Sequence, residues 1–343
     1  MTNRSHLIVG FLLLVSGSIH AQTTVAKYAG EFLAIGVGGR PLGLGGSYVA
    51  LAADASAGYW NPAGLVRIDY PDILVMHDER FGNLVNYDYA AVAIPFQSDM
   101  SFGLSLIRLG VDGIPDTRNA WLDANGNGLF DDNTRPDYDK VTYFNAADWA
   151  FFFSYAKRAT ASLSYGASVK VIRRDLADQS ATGVGFDVGV LYSPAENLFI
   201  GANAQDITTT LLAWTTGRNE LISPTIKMGA TYLVSALNGR FAPTVDVDVR
   251  FENRRFASAA HLGPISVDPH VGLEFDYRET VALRLGYTDV KQITVGAGLH
   301  LSKVDIDYSF ATFGTAADDL GDTHRISLRI MLEAEQFKRS AGR

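Results

Sequence analysis

The strongest constraint on the fold is an alternation of apolar and polar residues with a period of two. Between residues 182 and 192 every second residue is large and apolar, whereas glycine and Asp187 occupy most of the positions between them. Side chains of a β-strand point alternately to its two faces, so this pattern predicts strands with one apolar face. The pattern recurs from about residue 72 to the end of the chain, and the predicted fold class is therefore all-β.

Fourteen segments carry this alternation, each roughly ten residues long, which is the length that a tilted strand needs to cross a bilayer. They lie near residues 72–79, 85–96, 99–109, 148–157, 162–173, 182–193, 198–206, 224–234, 242–251, 269–277, 280–288, 292–301, 304–312 and 324–333. An even strand number is typical of single-chain bacterial outer-membrane barrels. The sequence predicts a 14-stranded antiparallel transmembrane β-barrel, although alternation alone also fits a soluble sandwich or barrel.

The lengths of the connections favour the membrane barrel over a soluble sandwich. Short connections such as 97–98 and 278–279 alternate with connections that are mostly long, for example 110–147 and 207–223. Short periplasmic turns and longer external loops produce this rhythm when both chain ends are periplasmic. We therefore expect the loop at 110–147 to be extracellular.

The face opposite the apolar one carries many charges, which also favours the membrane barrel. Its charged residues are Lys170, Asp187, Lys227, Asp246, Asp248, Arg250, Glu274, Asp276, Arg284, Asp305, Asp307, Arg325 and Arg329. In a packed sandwich each of these side chains would need a buried partner, which is costly. Nearly equal numbers of acids and bases suit a hydrated lumen with many ion pairs, so we predict that this face lines the lumen.

The first residues have the features of an export signal. Arg4 precedes an apolar run at 7–15, and small residues lead to Ala21, after which we expect cleavage. The run is too short to cross roughly 30 Å of hydrocarbon as a helix. Together with the strand pattern, this signal predicts an exported protein that resides in the cell outer membrane and is surrounded by its lipid.

Composition and motifs exclude several classes of function. The 343 residues carry a net charge of −8, which argues against a nucleic-acid partner. No cysteine is present, so disulfides, thiol catalysis and thiolate metal sites are excluded. There is no G-x-S-x-G, H-E-x-x-H or P-loop motif, and the histidines are scattered. We expect no enzyme activity and no catalytic residues; the alternative left open is an outer-membrane enzyme whose serine or carboxylate site is assembled only in the folded barrel.

The segment before the first strand does not alternate, and we predict that it forms a plug. The predicted organisation is a signal peptide at 1–21, a plug at 22–70, a barrel at 71–333 and a C-terminal tail at 334–343. Short helices are expected over 28–35 and 48–58, on either side of a glycine-rich stretch at 36–46. No strand precedes these glycines, so a phosphate-binding loop is not favoured, and we expect them to supply backbone freedom in a crowded lumen.

The plug sequence carries a resemblance to a known group of proteins. The stretch GGRPLGLGGSYVALAADASAGYWNPAGL resembles the N-terminal signature of the FadL-like outer-membrane superfamily. The preceding and overlapping stretch AKYAGEFLAIGVGGRPLGLGGSYVALA resembles, more narrowly, the PorV/PorQ branch of that superfamily. The resemblance beyond these stretches is architectural, since the superfamily also has fourteen strands with a plug before them.

The resemblance implies two functions, neither of which is catalysis. FadL-type proteins take hydrophobic compounds across the outer membrane, and their N-terminal segment closes the lumen. PorV-like proteins serve type IX secretion: they bind the C-terminal signal of exported cargo and pass it from the translocon to the surface attachment complex. The narrower N-terminal resemblance favours the type IX role, as a cargo-binding shuttle or attachment component, and FadL-like uptake is the alternative.

Within the plug motif, the resemblance assigns structural positions rather than ligands. These positions are Asp54, Asn61, Pro62, Ala63 and Gly64. Pro62 fixes its own φ and biases Asn61 away from helical geometry. Gly64 is expected to permit the turn into the first strand.

The longest loop contains half of a calcium-binding pattern. Asp123, Asn125 and Asn127 occupy positions one, three and five, and Gly128 occupies position six of an EF-hand-type loop. Asp131 could supply a later oxygen ligand, whereas position twelve is a threonine rather than the bidentate glutamate. A Ca²⁺ site is therefore a possible cofactor site, and a polar surface turn is the alternative.

The expected topology can be tested with cysteines, because the chain has none of its own. A cysteine at Ala124 should react with a membrane-impermeant maleimide on intact cells, because the long loop is expected outside. A cysteine at Asn197, in a short turn, should react only after the outer membrane is opened. Labelling of the Asn197 variant but not of the Ala124 variant on intact cells would reverse the orientation.

Overall fold

The computed structural model describes residues 29–82, 84–123, 134–251, 258–288, 292–312 and 322–339. The expected signal peptide at 1–21 lies outside these residues. Fourteen strands form one antiparallel sheet: β1 Asp72–Arg80, β2 Val85–Phe96, β3 Met100–Asp116, β4 Thr142–Arg158, β5 Leu163–Leu176, β6 Gln179–Ala195, β7 Leu198–Gln205, β8 Thr225–Tyr232, β9 Gly239–Arg250, β10 Ile265–Tyr277, β11 Val281–Tyr287, β12 Ile293–His300, β13 Val304–Thr312 and β14 Thr323–Met331.

The sheet closes into a barrel. Each strand pairs with the next along the chain, and β14 pairs with β1 from Met331 opposite Asp72 to His324 opposite Glu79. The predicted 14-stranded antiparallel barrel is confirmed. Closure leaves no open sheet edge around the ring, which is what a sheet that crosses a bilayer requires.

The largest differences from the predicted strands occur at β3 and β4. Their ladder continues past a register shift between Val111 and Ile114 and ends where Asp116 pairs with Thr142. The sequence pattern stopped earlier because the residues beyond this shift lack the apolar face on which the prediction depended. The connections also contain short strands at Trp121–Asp123, Thr134–Pro136, Thr210–Trp214, Asn219–Ile222, Val234–Ala236 and Ala260–Leu262, and 3₁₀ turns at Tyr138–Lys140 and Glu335–Phe337.

The two ends of the barrel differ. At the end where β2 meets β3 and β10 meets β11, the connections are short; we call it the short-turn end. The opposite end carries the connections at 117–141, 206–224 and 251–264 and is called the long-loop end. No helix among the described residues is long and apolar enough to span a membrane.

The outer surface of the wall is apolar in rows that follow the strand register. One such row runs through Val75, Ala90, Leu106, Phe151, Val171 and Val184, each opposite its neighbour on the next strand. Phe151 is 49% exposed and Val184 is 46% exposed, although both belong to regular strands. Two residues nearer the long-loop end, the row becomes polar at His77, Asp88 and Arg173. An apolar band with a polar border is the surface that a lipid bilayer requires.

The inner surface carries the charges that the sequence placed there. All thirteen predicted side chains face the lumen, and all except Arg329 are buried. They form ion pairs, for example Lys170 with Asp187 at 2.8 Å and Arg284 with Asp307 at 2.6 Å. The expected hydrated lumen differs from the structure, because residues 29–70 fill it and bury these charges.

The segment inside the barrel contains less helix than expected. Helices α1 Glu31–Ala34, α2 Gly39–Gly43 and α3 Ala57–Trp60 are followed by a 3₁₀ helix at Pro62–Arg67. The helix expected over 48–58 is confined to its last residues, and α2 lies inside the glycine-rich stretch. Contacts with the barrel wall determine the backbone path of this segment, and they override local propensity.

The buried ion pairs predict a clear difference between two arginines. Arg284 donates to Glu274 at 2.7 Å and is fully buried, whereas Arg118 lies in a loop and is 68% exposed. Replacing Arg284 by glutamate places like charges together in the wall, and loss of a buried pair costs roughly 3–5 kcal/mol. R284E should therefore lower the thermal midpoint in detergent much more than R118E. Equal midpoints would show that the lumen pairs do not stabilise the barrel.

Candidate functional site: the plug and its seat in the barrel

The candidate site is the contact between residues 29–70, called the plug from here on, and the inner wall of the barrel. At its centre Asn61 is buried and extended, with φ −163°, as its position before Pro62 favours. Its Oδ1 accepts a hydrogen bond from the N–H of Ala63 and caps the 3₁₀ helix. Its Nδ2 donates to the carbonyls of Val49 at 3.0 Å and Val190 at 3.1 Å. Asn61 thus connects two parts of the plug with strand β6.

Gly64 serves a close approach rather than a turn. It lies inside the 3₁₀ helix, and β1 begins only at Asp72, so Gly64 does not make the expected turn into the first strand. A Cβ atom at this position would collide with the carbonyl oxygen of Ala52. The chain passes so close to itself here that only glycine fits.

Asp54 is the centre of a hydrogen-bonded chain that reaches the barrel wall. It accepts from the N–H of Ser56 at 2.8 Å and from the hydroxyl of Tyr48 at 2.7 Å. Burial raises the pKa of Tyr48, so this hydroxyl stays protonated and can donate. The same hydroxyl accepts from Arg40 at 3.3 Å, and Arg40 donates to both oxygens of Glu274 on β10 at 2.7 and 2.9 Å.

Glycines on the inner face of the wall form the surface on which the plug backbone lies. A Cβ at Gly166 would be 2.5 Å from the carbonyl carbon of Pro62, and one at Gly201 would be 2.6 Å from the carbonyl oxygen of Val49. Gly189, Gly272 and Gly286 are in equally close contact with Asn61, Leu44 and Gly45. These glycines are the small residues opposite the apolar face of the strands. Their position was visible in the sequence, but their contact with the plug was not.

Polar side chains of the wall bind the backbone of the plug. Asp246 accepts from the N–H groups of Tyr48 and Val49 at 2.8 and 2.9 Å. Asn203 donates to the carbonyl of Trp60 at 3.0 Å, and further bonds join Gln205 to Tyr59, Thr294 to Gly43 and His270 to Gly45. Buried backbone groups need such partners, so the polar inner face is the complement of the plug backbone.

Arg339 is a plug-binding residue that the sequence reading missed. It lies in the C-terminal tail, and its guanidinium donates to the carbonyls of Ile68 at 2.8 Å and Met100 at 2.7 Å and to the hydroxyl of Ser101 at 2.6 Å. Its side chain is only 6% exposed. The tail therefore ties the end of the plug to β3 across the short-turn end. No local sequence pattern predicts this contact, because Arg339 and Ile68 lie far apart in the chain.

Among the described residues, the plug borders two large chambers in the lumen and a smaller cavity of about 50 Å³ beside Phe152 and Lys170. The long-loop chamber has a volume of about 350 Å³, and the apolar and aromatic residues on its plug side include Ile35, Leu42, Tyr59 and Trp60. Its wall side is charged and includes Arg80, Lys227, Asp248, Arg250 and Arg325. The short-turn chamber has a volume of about 430 Å³, and its lining includes Arg40. Its carboxylates are Asp54, Glu274, Asp276, Glu279, Asp305 and Asp307. The two chambers have no lining residue in common.

The pairing partner of β6 changes beside the plug at the end of β7. Strand β6 pairs with β7 from Val188 to Ala195, whereas its earlier residues Ala181 to Val184 pair with the strand Thr210–Trp214. At this change Asp206 has a φ of +53° and is buried. Lys170 donates to Asp206 and to Asp187, each at 2.8 Å. The bond to Asp206 stabilises the strained backbone conformation of that residue.

The proposed calcium ligands fall mostly outside the described residues. Asn125, Asn127 and Asp131 lie outside them, and Asp123 ends the short exposed strand Trp121–Asp123. Among the described residues, no group of three histidine, aspartate or glutamate side chains is placed to hold a metal ion. The Ca²⁺ loop therefore stays a prediction.

Comparisons with known proteins place the fold. No protein-family model and no curated protein matches the sequence. The toluene transporter TbuX of Ralstonia pickettii superposes with a TM-score of 0.56 at 15% identity, over 86% of this chain and 98% of that one. A Pseudomonas aeruginosa FadL homologue has a TM-score of 0.55 at 12% identity, over 87% and 98%. The monoaromatic hydrocarbon channel CymD has 0.57 at 12% identity, over 90% and 99%. At these identities the likeness shows the fold alone: this chain has a FadL-like outer-membrane barrel fold.

The glycine seat yields a matched pair of variants on β5. Gly166 faces the plug, whereas its neighbour Ala167 faces outward and is exposed. G166V should displace the plug, because overpacking a filled site costs about 1–3 kcal/mol, and A167V should change little. Protease cleavage within 29–70 in detergent should accelerate only in G166V, while both barrels stay folded on unheated gels. Equal cleavage of the two variants would contradict the assigned seat.

Proposed function

We propose that this protein is an outer-membrane channel for small hydrophobic molecules and that the plug is its gate. The observation that carries the proposal is the long-loop chamber, where the plug offers Ile35, Leu42, Tyr59 and Trp60 to a bound molecule. A volume of about 350 Å³ lies within the usual range of small-molecule pockets, which are mainly apolar. Apolar and aromatic side chains there would bind a hydrocarbon by removing its surface from water.

The fold neighbours support the choice of cargo. TbuX is a toluene transporter and CymD a monoaromatic hydrocarbon channel, and we extend this chemical class to the present chain as part of the proposal. This favours FadL-like uptake over the type IX role implied by the N-terminal resemblance. The proposed location is the outer membrane, in agreement with the apolar outer band of the barrel.

The proposed route runs along the barrel axis. A molecule enters the long-loop chamber, passes the plug, and reaches the short-turn chamber. The latter adjoins a cleft at the short-turn end, with which it shares Arg240, Asp276 and Glu279. Because the two chambers are separate in this structure, part of the plug must move for passage. The structure is thus a closed state of the proposed channel.

A docking role in type IX secretion is the second candidate. The observation that favours it is the same separation of the chambers, because a barrel that stays closed suits a platform better than a pore. In that case the partners would be the translocon, the attachment complex and the C-terminal signals of cargo. This candidate requires binding of protein partners and no passage of solutes.

Uptake of radiolabelled toluene by cells that lack other hydrocarbon channels tests the first proposal. Ala34 lines the long-loop chamber, so A34W should fill it and reduce uptake to that of cells without the protein. The matched control is A90W, because Ala90 is exposed on the outer wall and the added ring would face lipid.

The proposal fails if the wild-type protein does not raise uptake, or if A34W and A90W take up toluene equally well. Absent uptake combined with capture of cargo C-terminal signals from solubilised outer membranes would favour the type IX role instead.

A further inference from the structure

We propose that helix α2 is a movable partition between the two chambers and that Arg40 is the side chain that holds it closed. The proposal rests on the proposed channel function and names the part of the plug that moves. Successive residues of α2 face different chambers: Arg40 and Pro41 line the short-turn chamber, and Leu42 lines the long-loop chamber. A single helical turn is therefore all that lies between the chambers at this point.

The helix is attached to the wall by few side-chain bonds. Arg40 makes two hydrogen bonds to Glu274, at 2.7 and 2.9 Å, and these are charge-assisted. The other bonds between α2 and the wall are neutral and involve the α2 backbone: Gly39 N–H donates to Ser327, and Gly43 carbonyl accepts from Thr294. Within the plug, Arg40 also donates to the hydroxyl of Tyr48 at 3.3 Å. Of these contacts, the ion pair with Glu274 is the strongest tie, since bonds between ionised groups are about twice as strong as neutral ones.

Glycines with positive φ lie on both sides of α2. Gly36 and Gly38 precede it with φ of +88° and +86°, and Gly45 and Gly46 follow it with φ of +67° and +81°. A helix of five residues has little stability of its own, so it depends on its attachments. Backbone positions that tolerate large changes in φ are suited to act as hinges. The helix can therefore swing between these two glycine pairs as a unit.

If Arg40 moves away, the carboxylate of Glu274 still has a cationic partner in the wall, Arg284. Glu274 also accepts from Nε of Arg284 at 2.7 Å, and Arg284 donates through Nη1 to Asp307 at 2.6 Å. Among the described residues, Nη2 of the fully buried Arg284 has no hydrogen-bond partner. When Arg40 departs, this Nη2 can take the oxygen of Glu274 that Arg40 releases, and the pair becomes bidentate. In this exchange Nη2 of Arg284 gains a partner, and Glu274 keeps a cationic one.

The short-turn chamber offers Arg40 a second place. Its carboxylates outnumber its arginines, and the lining includes Glu279 and Asp276 in addition to Glu274. Asp276 has only a long contact to Arg240, at 3.5 Å. A guanidinium that swings away from Glu274 therefore remains among carboxylates and need not cross an apolar region. This gives α2 two electrostatically acceptable positions, which is what a gate requires.

The test measures access to the partition rather than transport. Leu42→Cys introduces the chain's single cysteine at a buried position. In the full-length protein reconstituted in liposomes, a water-soluble maleimide should modify it slowly. Adding R40M should raise the rate by about tenfold or more, because the lost bonds join charged groups. Adding E274Q to L42C should also raise the rate of maleimide modification.

The matched control is R174M, which removes an ion-paired arginine that contacts Asp148 and Glu220 but not α2. It should leave the labelling rate at that of the parent variant. Gel mobility without heating reports whether each barrel is folded. An unchanged labelling rate in folded R40M and E274Q, or an equal rise in R174M, would overturn the proposed partition.

The outcome is separable from that of the channel proposal. Faster labelling without toluene uptake keeps the movable partition and removes the channel function. Uptake that is unaffected by R40M, together with unchanged labelling, keeps the channel and removes α2 as its gate.

Discussion

The structure depends on how a peptide segment with little regular secondary structure can be buried inside a barrel. Every backbone N–H and carbonyl removed from water needs a partner, and the plug has too little helix to supply these partners itself. The wall supplies them instead: Asp246 accepts from two plug amides, and Asn203 donates to a plug carbonyl. Within the plug, the side-chain amide of Asn61 also donates to backbone groups, namely the carbonyls of Val49 and Val190. The polar side chains of the inner face thus serve as hydrogen-bond partners for the plug backbone.

Two further properties of the wall follow from this seat. Glycines such as Gly166 and Gly201 leave room for the plug backbone to approach the strands directly. Charged residues next to them are buried by that approach, and buried charges are tolerable only in pairs. The ion pairs of Lys170 and Arg284 are therefore a consequence of filling the lumen. The same residues would face a different environment in an open pore.

The plug is attached unevenly along its length, which bears on how the proposed channel would open. Its last part is tied by Arg339 from the tail and by Arg158 from β4, both of which donate to plug carbonyls. Its middle is tied by Asn61 and Asp246. Around α2 the strongest tie is a single ion pair between Arg40 and Glu274, and glycines lie on either side. Movement limited to α2 would join the chambers while the rest of the plug stays seated.

The sequence by itself determined the barrel. Period-two alternation reports which face of each strand meets lipid, because every second side chain is on that face, and this identified all fourteen strands. It also placed the thirteen charges inside and the extended backbone of Asn61 before Pro62. These features are local, since each depends on neighbours within a few residues. The extents of β3 and β4 beyond the band were missed where this local signal ends.

Only the tertiary structure decided what fills the lumen and how. Three contacts join segments far apart in the chain: Gly166 with Pro62, Arg339 with Ile68, and Arg40 with Glu274. Periodicity carries no information about such pairs, because a glycine or an arginine on the inner face looks the same whichever residue it meets. The chambers on either side of α2 exist only once the plug is in place. For that reason the strand pattern predicts a barrel, whereas the contacts between plug and wall are visible only in the assembled structure.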